Sequence, residues 1–484
     1  MSPRKLLLLA LFLLIPAAAA CSRSSPPPRK LIVLGVDGLE WKLVLKFAQA
    51  GKLPNLSALL QNGVSGKLET LSPTESPAIW TTIATGKKPG KHGVLDFAYR
   101  DEDGEAHLFT SVHRNSKALW NLLGDAHRGC DVLGWWCTFP VEKIDGVMVS
   151  QTCMRTQIDI SDGHKIWKGS YLRGIPGQVQ PPDFEPRVRA AADRIYAASK
   201  ESMRALAQPN LPLTPLASGL WDGLVSSFVA DQLYADVARD LLKSGKASEV
   251  VLLYLGTTDV ASHRFWRYLE PELYDHPPRA SELADFGRVI EASYVFADGV
   301  LGDLRALVPD ADFVVLSDHG FHAVNLHNPF PDAAPATEGP FVSGHHQDAP
   351  PGFFVASGPG FRRGTCASDA DRVPVVGRVE DVLPTLLWRL GIPFGEDMDG
   401  RPMRDVLGEA TLAAAPQTPV KSHEDAAWQK QRAEARAHAA EDEKRFEQAA
   451  LRALDGAERQ RLGNLGYVGE GLPLPKGDGE KDEK

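Results

Sequence analysis

The stretch Leu31-Ile-Val-Leu-Gly-Val-Asp-Gly38 is an apolar run that ends on an acid and a glycine. A continuous run of this length, with no polar alternation, marks a strand buried on both faces. Similar runs recur at Asp131–Gly134, Val147–Ser150, Val250–Leu255, Phe313–Leu316 and Phe353–Ser357. Helical patterning fills the text around them, at Trp41–Ala50, Pro54–Asn62, Pro77–Thr85, Ser116–Leu123, Ser227–Ser244, Glu282–Leu307 and Val379–Leu390. Strands alternating with helices predict an α/β fold, with a central, mostly parallel β-sheet flanked by helices.

A chain of 484 residues has room for one large domain or for two to three ordinary ones. With 43% hydrophobic and 8% aromatic residues there is ample material for a core, which excludes wholesale disorder. The net charge of −9 argues against a protein that grips a nucleic-acid duplex by its phosphates. Small charged substrates stay compatible with it, because a bound metal sets its own local field.

The start of the chain reads as a targeting segment. Arg4 and Lys5 precede the apolar run Leu6–Ile15, and the small residues Ala17–Ala20 lead into Cys21. The run is too short to be a permanent span. Small residues directly before a cysteine resemble the cleavage box of bacterial lipoproteins, so residues 1–21 are expected to be a signal peptide with Cys21 lipidated. That places the protein on the periplasmic side of the cell envelope, touching membrane only through its anchor. Residues 22–29, with Pro26, Pro27 and Pro28, form a stiff tether. Cys130, Cys137, Cys153 and Cys366 read as structural, able to form two disulfides in an oxidising compartment; none has the paired spacing of a thiolate zinc site.

The main body is expected over residues 30–412. Within it, from about 156 to 223, strand signals fade, and an inserted cap over the working edge of the sheet is expected there. Residues 413–484 form a charged extension. Its part from Lys421 to Leu462 reads as an exposed, charge-laced helix without chemistry.

The chemistry lies where predicted strands end. Asp37 closes the first strand and points to the crevice where open α/β sheets bind ligands, with Gly38 permitting the turn. In Ser72-Pro-Thr-Glu-Ser76, followed by Pro77, Ser76 fits a helix N-cap with Pro77 at the first helical position and Gly86 closing the helix. A hydroxyl at a helix N-terminus also sits where phosphate binds, and a metal at that point turns it into a nucleophile. Thr74 is the competing hydroxyl. Asp259 and His263 are four apart and share a helix face. Asp318 and His319 follow the Phe313 strand, and His345 or His346 follows Ser343-Gly344. Singly these are a turn, a cap, an ion pair and a solvated histidine pair. As an ordered set of oxygen and nitrogen donors beside strand ends, they suit zinc, and two such ions form the clamp used for displacement at phosphorus.

This set resembles the alkaline phosphatase superfamily, in its type I phosphodiesterase/nucleotide pyrophosphatase-like branch. The matching text is VDG around Asp37, SPAIWTTIATG from Ser76, KPGKHG from Lys88 and DVASHRFWRY from Asp259. SDHG from Ser317, GHH from Gly344 and ASGPGF from Ala356 continue it, and the likeness spans roughly residues 30 to 408. The resemblance implies an alkaline-phosphatase-like fold and a hydrolase of small phosphate esters, a phosphodiesterase acting through a phosphoryl-enzyme on Ser76 with two zinc ions. It implies Asp37, Asp318 and His319, with Ser76, as ligands of one zinc, and Asp259, His263 and a later histidine as ligands of the other. His345 is the choice for that histidine because it directly follows Ser343-Gly344, with His346 next. Diesterase relatives generally carry Thr at the nucleophile, where this chain has Ser76, and the Asn of nucleotide-cleaving relatives is replaced by the Ala78-Ile79 stretch. Arg114, Phe265, Trp266 and Tyr268 are candidates for substrate contact, although the aromatics fit helix packing better. The alternatives are a phosphomonoesterase with the same site and a catalytically silent metal-binding envelope protein. A sulfatase is disfavoured because no Arg follows Ser76-Pro77 in the required place.

Overall fold

The computed structural model describes residues 29–437, apart from 101–105, 153–176, 208–214, 328–341, 349, 365–368 and 415–417. Its main sheet has nine strands: β1 (Leu31–Val36), β2 (Val64–Glu69), β3 (Cys130–Leu133), β4 (Met148–Val149), β5 (Val179–Gln180), β6 (Val250–Leu255), β7 (Asp312–Leu316), β8 (Gly352–Ser357) and β9 (Val375–Arg378). They lie in the order β9-β2-β8-β7-β1-β6-β3-β4-β5. The pairs β9–β2, β7–β1, β1–β6, β6–β3 and β3–β4 are parallel, and β8 and β5 run against their neighbours.

The apolar runs are continuous because both faces of the sheet are covered. In β1, Ile32, Leu34 and Val36 enter one core, while Leu31 and Val33 enter the other. The first core is filled by α1 (Trp41–Gln49), α2 (Pro54–Asn62), α6 (Pro215–Lys243), α7 (Thr257–Leu269) and α8 (Val289–Leu307). The second is filled by α3 (Ser76–Thr85), α4 (Leu119–Asp125) and α9 (Val382–Leu390). The remaining long helix, α5 (Glu185–Ala207), packs along α6.

Four sequence expectations change. The Glu282–Leu307 segment is two helices, Ala280–Phe286 and α8, separated at Gly287-Arg288. Of the expected cap, residues up to 176 lie outside the described residues. Trp221, at its far end, is part of α6 and buried in the first core, so this end of the segment is sheet-covering layer. Cys130 and Cys137 are buried free thiols, so as core-filling side chains they are not disulfide halves; Cys153 and Cys366 lie outside the described residues. The extension is docked where it is described: residues 426–437 are helical, and Trp428 and Arg432 are only 7% and 4% exposed. The signal segment and residues 438–484 lie outside the described residues. Among the described residues no helix is long and apolar enough to cross a membrane.

Candidate active site

Three adjacent parallel strands, β7, β1 and β6, end at one edge of the sheet, with Val36 level with Leu255 and Gly35 with Leu316. The residues that follow them therefore meet: Asp37 after β1, Asp318 and His319 after β7, and α7 with Asp259 and His263 after β6. This is the carboxyl-end crevice in which open α/β sheets bind ligands. Gly38 turns with φ of +71°, and a Cβ there would press on the Phe321 ring at 2.7 Å and on the Asp259 backbone at 3.1 Å. Gly320 contributes space: a Cβ would lie 2.4 Å from Glu40 Oε2, which accepts from the Phe321 amide and so fixes the turn after His319.

α3 brings the hydroxyl. Glu75 is the N-cap and Ser76 the first helical residue, one position further in than the sequence suggests. Ser76 Oγ is thus not spent on capping; it lies 3.3 Å from His319 Nε2. His319 Nε2 is also 3.4 Å from Asp37 Oδ1 and 3.2 Å from Asp318 Oδ2. Ligands held about 2.0–2.1 Å from a tetrahedral ion lie ~3.3–3.4 Å from one another. Ser76 Oγ, Asp37 Oδ1 and Asp318 Oδ2 therefore stand from His319 Nε2 at the distance that separates two ligands of one zinc.

The hydrogen bonding agrees with that reading. Asp37 Oδ2 accepts from Tyr254 Oη at 2.6 Å and Trp80 Nε1 at 3.0 Å, whereas Oδ1 is buried and accepts no hydrogen bond from the described residues. Asp318 Oδ1 accepts from Gly38 N and Ser317 Oγ, both at 3.4 Å, and its buried Oδ2 accepts none among the described residues. Each acid thus keeps one oxygen aimed at the same point. Burial, then the nearby Asp37 and Asp259, push the Asp318 carboxyl far above its usual range. Acids crowded in this way call for a cation between them. Burial lowers His319, and its Nδ1 faces the Gly320 carbonyl at 3.2 Å, so Nδ1–H donates there and Nε2 keeps a lone pair.

A second group stands beside the first. Among the described residues, two sets of side chains bring ligand atoms within 4.8 Å of one another: Asp37, Asp259 and His319, and Asp259, His263 and His346. Asp259 is common to both. His263 Nε2 lies 3.5 Å from Asp259 Oδ1, and its Nδ1–H donates to the Gly344 carbonyl at 3.0 Å. The histidine in this group is His346, whereas His345 stands outside it. Successive residues of an extended segment face opposite ways, and His345 pairs with His322 and accepts the His346 and Gln347 amides on Nδ1 at 2.9 and 2.8 Å. Burial, then His319 and His263, depress His346 strongly, which keeps the ring neutral as a metal ligand must be.

Two other expectations resolve on geometry. Arg114 is 1% exposed and bonded to Glu142, Asn121 and the Ser116 carbonyl, so its guanidinium is taken up in a buried network. Phe265, Trp266 and Tyr268 are buried and pack α7 into the core. Residues that sequence reading missed are supports. Tyr254 and Trp80 hold Asp37, and Asp231 on α6 accepts the Gly256 and Thr257 amides at 2.9 and 2.8 Å, capping α7 from outside its own chain segment. A lone Tyr within an aliphatic strand, and Trp80 one helical turn from Ser76, are the signals that mark two of them.

The family model for type I phosphodiesterase / nucleotide pyrophosphatase matches residues 31–387. Among solved structures, murine ectonucleotide pyrophosphatase / phosphodiesterase 5, as an inactive variant in complex with AMP, is similar at 12% identity and a TM-score of 0.47, covering 78% of this chain and 100% of that one. Human ectonucleotide pyrophosphatase / phosphodiesterase 5 is similar at 12% identity and a TM-score of 0.46, covering 79% and 100%. No curated protein matches the chain. The family match covers the sheet, α3 and every residue of the two side-chain groups, and the chain belongs to the type I phosphodiesterase / nucleotide pyrophosphatase family of phosphoric ester hydrolases.

Proposed function

We propose that the protein cleaves small phosphodiesters with Ser76 as nucleophile and two zinc ions as its metal complement. The observation that carries this is the 3.3 Å approach of Ser76 Oγ to His319 Nε2, at the point on which the open oxygens of Asp37 and Asp318 converge. Asp37, Asp318, His319 and Ser76 would hold one ion, and Asp259, His263 and His346 the other. Zinc at these positions supplies Lewis acidity, favouring the ionised hydroxyl and offsetting charge that builds on the phosphoryl oxygens.

The residues do the rest. Ser76 Oγ gives its proton to water and attacks phosphorus on the side opposite the leaving oxygen. The P–O bond to that group breaks, the group departs as an alcohol once its oxygen takes a proton from water, and a Ser76 phosphoester that keeps the second ester group forms. Water then attacks the same phosphorus, the bond to Ser76 Oγ breaks, and the hydroxyl is restored with its proton. The N-terminal end of α3 adds the positive end of its dipole at the attacked group. Anchoring through Cys21 on the periplasmic side, with residues 30–412 as the catalytic unit, completes the reading.

The test is metal content by elemental analysis, together with turnover of bis-p-nitrophenyl phosphate and p-nitrophenyl phosphate, for the native protein and Ser76→Ala. About two zincs per chain, as a two-metal site requires, faster diester cleavage, and a variant that keeps its zinc while losing nearly all turnover are expected. Preference for the monoester would move the enzyme to the phosphatase side with the same site. Full activity in Ser76→Ala would overturn the nucleophile, and a zinc-free protein that stays inactive after zinc is added back would overturn the metal reading.

A further inference from the structure

Thr74 precedes the nucleophile by two residues, and its hydroxyl is buried, with the residue 5% exposed. Its Oγ1 donates to the main-chain carbonyl of His346 at 2.7 Å. A threonine hydroxyl has a single proton. In its second contact, 3.2 Å to His346 Nδ1, Oγ1 is therefore the acceptor and the ring is the donor. Nδ1 carries the ring proton, and Nε2 is left as the lone-pair nitrogen.

We infer that Thr74 is a positioning residue that clamps His346 by carbonyl and ring together and selects the tautomer and ring face with which His346 meets the Asp259–His263 group. The inference rests on the two-ion reading above, with His346 as a ligand. The ring of His346 stacks on His319, with centroids 4.0 Å apart, and meets His263 edge-on at 4.9 Å. Packed that way, the ring has one remaining freedom, a half-turn that exchanges Nδ1 for a carbon. The Thr74 bond distinguishes the two faces, because a flipped ring would set a carbon against Oγ1.

Of the three histidines around the ions, His263 and His319 donate Nδ1–H to backbone carbonyls, at Gly344 and Gly320. For His346 the acceptor is a side chain, so this support can be removed by substitution. The same short segment that presents Ser76 then also orders the second ion's ligand, and Thr74, whose proton is committed to a carbonyl, is not a nucleophile. The spacing Thr74-Glu75-Ser76 couples the two halves of the site through one backbone turn.

The experiment uses the full chain with Thr74→Val and Thr74→Ser, each equilibrated against a series of zinc buffers and analysed for zinc per chain. The native protein and Thr74→Ser are expected to show two zinc-binding steps at the same free-zinc levels. In Thr74→Val one step should shift to about 10–100-fold higher free zinc, the usual effect of losing an outer-shell partner, while the other stays in place. Native-like uptake by Thr74→Val would overturn the inference, as would Thr74→Ser that fails to restore it or a Thr74→Val that weakens both steps alike. A native protein with only one step would overturn the two-ion reading itself, and that outcome is separable because it needs no variant.

Discussion

Tyr254 Oη donates a 2.6 Å hydrogen bond to Asp37 Oδ2 from within β6, a strand otherwise made of Val and Leu. Trp80 Nε1 reaches the same oxygen at 3.0 Å. Together they fix which oxygen of Asp37 is spent on the protein and which faces His319. Burial, and then Asp37 itself, push the Tyr254 phenol far above its ordinary range, so it stays a donor at any working pH.

Tyr254→Phe keeps the ring and removes only that donor. Asp37 is then held by Trp80 alone, and the ion proposed for Asp37, Asp318 and His319 should bind about 10–100-fold more weakly, in line with other outer-shell losses. Isothermal titration of the zinc-free protein should show the weakening in one of two steps. Unaltered affinity in both steps would mean that Trp80 alone orients the acid.

His92 gives a pH dependence that is separate from the site. It is fully buried, its Nδ1 accepts the Val94 amide at 3.1 Å, and its Nε2–H donates to Thr82 Oγ1 at 2.9 Å. Burial, and then the nearby Arg114, lower it from 6.5 to about 3. Between those values the unfolded chain binds a proton that the folded chain refuses, so stability is lost as pH falls from about 6.5 towards 3. At roughly 1.4 kcal/mol per pKa unit, the full window is worth on the order of a few kcal/mol. Urea unfolding of native protein and His92→Gln at pH 7.5 and 5 should show a smaller pH penalty in the variant. Equal penalties in the two proteins would place the acid sensitivity elsewhere.

How much of this is legible before folding depends on what each signal needs. β1, β6 and β7 are buried on both faces, so their apolar runs stand out, and the acids after them mark the site edge. β2 is not legible in the same way: Val64-Ser-Gly-Lys-Leu-Glu69 is half-buried and mixed, and its place is set by pairing with β8 and β9. The choice between His345 and His346 turns on strand phase, which follows from the pairing of His345 with His322 and not from spacing. Tyr254 is readable only as an anomaly, because its partner lies 217 residues away. The one-position shift of Ser76 into α3 is the ordinary uncertainty of helix ends.

The docked extension was hidden by its own composition. Text rich in Ala, Glu, Lys, Arg and Gln reads as solvated, yet Trp428 and Arg432 lie four apart on one helical face, and that face is buried. Trp428 Nε1 donates to the Asn115 carbonyl at 2.7 Å, Arg432 lies over its ring at 5.3 Å and also bonds the Ser111 carbonyl, and Glu424 pairs with buried Lys87 at 2.6 Å. Trp428→Ala empties a well-packed position and removes both the hydrogen bond to the Asn115 carbonyl and the ring on which Lys117 and Arg432 rest. A loss of about 3 kcal/mol is expected, typical for Trp→Ala in a packed interior. It should appear as a lower melting temperature of the full chain, with turnover per folded molecule unchanged, since none of these groups touches the ligand sets. An unchanged melting temperature would mean that the contact follows folding and contributes nothing to it. A normal melting temperature with lost turnover would instead tie the extension to the site.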